Sequence, residues 1–238
     1  MLNPIDSRNF HRTFQALALI VGPLLLLAAI LIDAAVFTGD DVAERLPQIR
    51  ENGGLYLTSS WLFLLAGLVL VPGIVGLIHV LHGARITVGE VGGWLMLLGV
   101  ILTIGFFVAS MFEYTLAQTN AVPEGTAVTI LNEFDNSPAG FVVFIAFAVG
   151  LGLGAILMAI GAWRHGLLPV WAAVALALLG PLSLVPVDWE PAGALSIVLL
   201  LIGFGMAGLR MLRMPDAQFE KWEPLPEARH RATPGAAA

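Results

Sequence analysis

The chain has 238 residues, of which 58% are hydrophobic and 12% charged, and its mean hydropathy is +0.88. A water-soluble domain carries roughly 25% charged residues, so there is too little charge here to cover a soluble surface, and the chain reads as a polytopic membrane protein. It has no cysteine and a net charge of −6. This excludes disulfides, thiolate metal sites and thiol nucleophiles, and leaves no basic surface for nucleic acid.

A helix needs about 20 mostly apolar residues to cross the hydrocarbon core. Six segments qualify, at 14–37, 56–81, 91–117, 139–163, 167–187 and 192–213. They are read as helices because a backbone in lipid must satisfy its own hydrogen bonds, and the alternating pattern of a transmembrane barrel is absent. The expected fold is all-α: a six-helix transmembrane bundle over 1–213, followed by a flexible, proline-rich cytoplasmic tail over 214–238.

Arg8 and Arg12 precede the first segment as they would a signal peptide. The apolar run outlasts an h-region, however, and no clear A-x-A-like site follows, so it is read as an uncleaved span. Near its far end sits Asp33, on a stripe with Gly22, Leu26 and Ala29 that suits contact with another helix. The loop over 38–55 has room for a short surface helix before Gly53-Gly54. The second segment carries Ser59 and Ser60 near one end, and His79 and His82 on one face near the other.

The third segment ends with Glu113, Tyr114 and Gln118, and Glu113 shares a side with Gly99, Ala109 and Ala117. Val122-Pro123-Glu124 then starts a helix with Val128, Leu131 and Phe134 at helical spacing, which Asn136-Ser137-Pro138 ends. Ala146, Gly150 and Gly154 in the fourth segment, with Gly203, Gly205 and Gly208 in the sixth, allow close helix approach. That approach serves either internal packing or a partner, whether another membrane protein or a second copy of the chain. The turn Asp188-Trp189-Glu190-Pro191 joins the last two segments. Gly22-Pro23, Pro72-Gly73 and Gly180-Pro181 predict kinks. Phe219 and Trp222 in the tail suit the headgroup region.

Arg8, Arg12, Arg85, Arg164, Arg210, Arg213, Lys221, Arg229 and Arg231 fall on the side of the termini, and only Arg45 and Arg50 on the other. By the positive-inside tendency this predicts cytoplasmic termini and a multi-pass protein of the plasma (inner) membrane. Acidic groups gather on the opposite, outer side. A single lysine beside abundant alanine and arginine suggests a GC-rich bacterial genome.

Two groups of residues invite a chemical role. Asp33, Glu113, Asp188 and Glu190, with Ser59, Ser60, Tyr114 and Gln118 at similar depth, outline an acidic pocket opening outward. Clustered carboxylates in low dielectric bind a cation, take up a proton or pair with a base, and Arg45 and Arg50 are the counter-ions on offer. The structural alternative is that Asp188 or Glu190 caps the sixth helix while Asp33 and Glu113 simply reach the interface. His79 and His82 have a spacing that suits a divalent metal or a haem axial ligand, or else they are interfacial histidines. Trp61, Trp94, Trp163, Trp171 and Trp189 near helix ends form an aromatic belt.

No cofactor is required by these patterns. The expectation is a non-enzymatic accessory, scaffold or binding module. The alternatives are a small carrier or sensor that takes a cationic or amphiphilic ligand at Asp33 and Glu113, and a redox or metal-dependent enzyme subunit that uses His79 and His82.

Overall fold

The computed structural model describes residues 7–37, 41–83, 86–119, 121–182, 190–215 and 219. Eight helices follow in order: α1 (Ser7–Val36), α2 (Val42–Glu51), α3 (Gly53–Gly83), α4 (Thr87–Gln118), α5 (Glu124–Asp135), α6 (Pro138–Arg164), α7 (Val170–Leu182) and α8 (Glu190–Arg213). Among the described residues there is no strand.

Among the described residues, five stretches are long and apolar enough to cross a membrane: Phe10–Val36, Gly53–His82, Thr87–Gln118, Pro138–Arg164 and Gly193–Arg213. The chain is thus a helical bundle of the multi-pass membrane type. Val170–Leu182 is apolar but shorter, and the expected continuation of that segment over 183–187 lies outside the described residues. Of the expected tail only Met214, Pro215 and Phe219 are described.

The six longer or apolar helices alternate in direction and pack in sequence, α1 on α3, α3 on α4, α4 on α6, α6 on α7, α7 on α8 and α8 back on α1. Large apolar side chains such as Leu98, Ile101, Val108, Phe141, Val142, Leu153 and Val174 point outward and are exposed. The buried core mixes leucines such as Leu19, Leu77 and Leu176 with small residues and methionine, including Ala16, Ala66, Ala155, Met96, Met158 and Met211. Large apolar side chains thus lie both inside and outside, which suits a lipid solvent, and the small residues let the helices approach closely.

The glycines show how close that approach is. A Cβ at Gly154 would lie 2.6 Å from the Met96 backbone nitrogen, and one at Gly99 would lie 2.7 Å from that of Leu151. Added side chains at Gly92 and Gly161 would likewise collide with Met158 and Gly89. The backbones of α4 and α6 therefore touch between Gly89 and Gly99 on α4 and between Gly150 and Gly161 on α6. Gly203 of α8 faces Leu176 of α7, and Gly208 faces the Ala16 carbonyl of α1. These close-approach positions are all filled from within the chain. Gly205 is different, meeting only Leu201 of its own helix.

Helices α2 and α5 lie across one end of the bundle and build a second apolar core there. Val42, Leu46, Ile49, Tyr56, Leu116, Ala117, Ala127 and Leu131 are its buried members. Asp41 starts α2 by accepting the Ala43 amide at 2.9 Å, and Ser137 starts α6 by accepting that of Gly140 at 3.0 Å. We call this the capped end. The opposite, basic end carries Arg12, Arg164, Arg210 and Arg213.

Candidate functional site

At the capped end, α4 delivers Glu113 into a position that is only 8% exposed. One carboxylate oxygen accepts Arg45 Nε–H of α2 at 2.6 Å, and the other accepts the Tyr56 hydroxyl of α3 at 2.6 Å. Both lone-pair edges are thus engaged by two different helices, one partner being a cation. Charge-assisted bonds of this kind are short and strong.

Beside this clasp, α2 and α4 exchange caps. The last carbonyls of a helix have no partner within it. Arg50 of α2 reaches over the end of α4, donating from Nε to the Ala117 carbonyl at 2.9 Å. Gln118 of α4 reaches the end of α2, donating from Nε2 to the Ile49 and Arg50 carbonyls at 3.3 Å each. The approach leaves no room at Gly53, where a Cβ would fall 2.6 Å from Gln118 Nε2. Arg50 also pairs with Glu124, the first residue of α5, at 2.9 Å with both side chains largely exposed.

Asp33, at the last turn of α1, lies next to Ser59 and within electrostatic reach of Arg45 and Glu113. Its Oδ1 is buried and has no hydrogen-bond partner among the described residues. Ser59 donates to the Ala29 carbonyl at 3.4 Å and Ser60 to the Tyr56 carbonyl at 2.9 Å, so both hydroxyls engage backbone. Tyr114 contributes its ring, stacked on Tyr56 with centroids 6.5 Å apart and an interplanar angle of 8°.

The structure thus brings Asp33, Ser59, Glu113 and Arg45 together, with Tyr114, Gln118 and Arg50 one layer outward. Asp188 lies outside the described residues, and Glu190 is placed only as the first residue of α8. The residue that sequence reasoning missed is Tyr56. A tyrosine heading an apolar segment reads as one more interfacial aromatic. The usable signal is that the chain has only two tyrosines, each at the same end of its span. The shared side proposed for Gly99 and Glu113 also divides: Gly99 meets α6, while Glu113 meets α2 and α3.

The histidines do not converge. His79 Nε2 donates to the Phe219 carbonyl at 2.9 Å, and the two rings lie 5.0 Å apart. His82 Nδ1 meets Glu90 Oε1 at 3.0 Å. Among the described residues no group of three or more His, Asp or Glu side chains could hold a metal ion. Phe219 is buried in the main core, packed on His79 toward the basic end of α3. Trp222 lies outside the described residues.

Two shallow, open depressions lie among the described residues, and neither is lined by Asp33 or Glu113. One is an apolar groove lined by α1, α7 and α8, and the other a mixed depression at the basic end beside His165. Comparison with protein-family models, with curated proteins and with solved structures finds no match to this chain.

Proposed function

We propose that this chain is a six-span protein of the plasma membrane, with both termini cytoplasmic, acting as a non-enzymatic accessory or binding module that presents the α2–α5 cap outward. The observation that supports this reading best is the state of Glu113. Glu113, the most buried carboxylate among the described residues of the capped end, is held by Arg45 and Tyr56, so its chemistry is spent joining the cap to the bundle and not on a substrate. Among the described residues, Arg12, Arg164, Arg210 and Arg213 lie at the basic end and Arg45 and Arg50 at the capped end, which supports the orientation. Val170–Leu182 together with residues 183–187 would supply the sixth crossing.

Because the chain lacks cysteine, single cysteines test the reading directly. A membrane-impermeant maleimide applied to intact cells is expected to label Thr129→Cys on α5 and to spare Arg164→Cys. A photo-crosslinker carried on Thr129→Cys is expected to give one discrete protein adduct in native membranes. Labelling of Arg164→Cys would reverse the orientation. A Soret band or stoichiometric metal in the purified protein would overturn the non-enzymatic reading.

A second reading has one specific observation behind it. The buried Oδ1 of Asp33 lacks a hydrogen-bond partner among the described residues, which is where a carrier or sensor would take a proton or a cationic ligand. Thermal-shift titration with divalent cations and amines, repeated on Asp33→Asn, tests it. Identical melting of both proteins across the panel would sink it.

A further inference from the structure

The apolar groove and the basic depression lie along the same helix, and their chemistry is complementary to one amphiphile. Ile20 and Leu24 of α1, Trp171 of α7, and Leu201, Ile202, Gly205, Met206 and Leu209 of α8 line a groove of about 450 Å3. Its floor is Gly205, the one glycine of α8's four whose added Cβ would meet no neighbouring helix. At about 100° per residue, the groove-lining positions of α8 span a sector that includes Arg213, one turn beyond Leu209 and about 6 Å further along the axis. Arg210 flanks the same sector.

Both arginines line the second depression, of about 320 Å3, together with His165, Gly166, Leu167, Met214 and Pro215. No acidic side chain is among these residues. Arg210 gives one N–H to the Gly166 carbonyl, which fixes the guanidinium at the mouth. Arg213 is exposed and makes no ion pair among the described residues. Trp171 is 59% exposed at the start of α7, at this same end, where an indole sits between tails and headgroups.

We propose that this groove is a binding site for an anionic phospholipid, one acyl chain lying along Gly205 between α1, α7 and α8, and the headgroup phosphate facing Arg210 and Arg213. Charge complementarity selects the occupant. A zwitterionic lipid fills the groove equally well but gains nothing net from two arginines, whereas basic pockets between spans favour anionic headgroups.

The test uses the full-length protein in mild detergent, with native mass spectrometry after addition of equimolar phosphatidylglycerol and phosphatidylcholine. The wild type is expected to retain one phosphatidylglycerol preferentially. Arg213→Gln is expected to bind it about fivefold more weakly, the effect of one arginine near an anionic headgroup, with phosphatidylcholine retention unchanged. Gly205→Leu, whose Cβ meets only Leu201 and whose side chain enters the groove, is expected to displace both lipids while leaving the melting temperature in phosphatidylcholine unchanged. Equal retention of the two lipids by the wild type would overturn the proposal. So would an unaltered preference in Arg213→Gln, full retention in Gly205→Leu, or equal stabilisation by inorganic phosphate alone.

Discussion

The α4–α6 seam and the clasp under α2 join helices by opposite means. Along the seam, Gly92, Gly99, Gly150, Gly154 and Gly161 remove side chains so that backbone meets backbone. At the clasp, Arg45, Tyr56 and Glu113 span the gap with long polar side chains. The seam depends on dispersion contacts summed over a long surface, which any added atom spoils. The clasp depends on a few strong bonds between partners that are costly to leave unpaired. The difference is one of tolerance: the first admits no larger residue anywhere, while the second fails only at named atoms.

Substitutions along the seam are expected to have the largest effect. Gly92→Leu should prevent folding, because its side chain meets the Met158 backbone, which cannot rotate away. Even Gly154→Ala is expected to cost about 2 kcal/mol of overpacking strain, read as a lowered melting temperature in detergent. Gly125→Ala on α5, with open space around it, is the control and should be neutral or better. A tolerated Gly92→Leu would erase the contrast.

Next comes the clasp. Glu113→Gln removes the anion from the 2.6 Å pair with Arg45. Breaking a buried pair costs about 3–5 kcal/mol, and the 31% exposure of the Arg45 side chain reduces the expected loss to about 2 kcal/mol. Tyr56→Phe should cost about 1.5 kcal/mol, the value of one bond to a charged group. The two losses combined should fall short of their sum, since both act on one carboxylate. Strict additivity in that cycle would show that the three residues do not work as a unit.

Smaller still is Glu124→Gln. Its pair with Arg50 is exposed on both sides, so the change should be under about 0.5 kcal/mol. Arg50→Gln should cost more, because it also uncaps α4 at Ala117.

The smallest effect is at His165, just outside α6, where partial burial holds the imidazole below its ordinary range. The unfolded chain then binds more protons than the folded one as pH falls. His165 therefore costs nothing above its ordinary value of about 6.5, and melting temperature should drop slightly as pH falls below it. His165→Asn should flatten that slope.

How far the sequence foretold these regions follows from how local their causes are. The third segment was placed at 91–117 and the helix runs Thr87–Gln118, because hydropathy marks the apolar middle and misses polar turns beyond it. The first shows this most clearly: the helix begins at Ser7, well before the apolar run, since Arg12 is compatible with a helix outside the hydrocarbon. Helix α5 was legible from Pro123 at one end and Ser137-Pro138 at the other. Arg45 and Arg50 stood out by number alone, as the two cations opposite nine.

Which acid each arginine takes was not legible. Arg45 and Glu113 are 68 positions apart, and nothing local to either names the other. Tyr56 went unnoticed for the same reason, and Phe219 because a lone aromatic in a polar tail carries no period. The glycines announced close approach without saying to what, and only the packing assigns Gly154 to Met96 and leaves Gly205 facing a groove.

The exchanged caps have a mechanical corollary. Arg50 grips the end of α4 while Gln118 grips the end of α2, so neither helix can pivot without dragging the other. At 32 residues α4 is about 48 Å long, and its backbone meets that of α6 over the stretch from Gly89 to Gly99. A force applied to α2 therefore meets no hinge at the bundle rim. It is carried along α4 and passed to α6 where the two backbones meet.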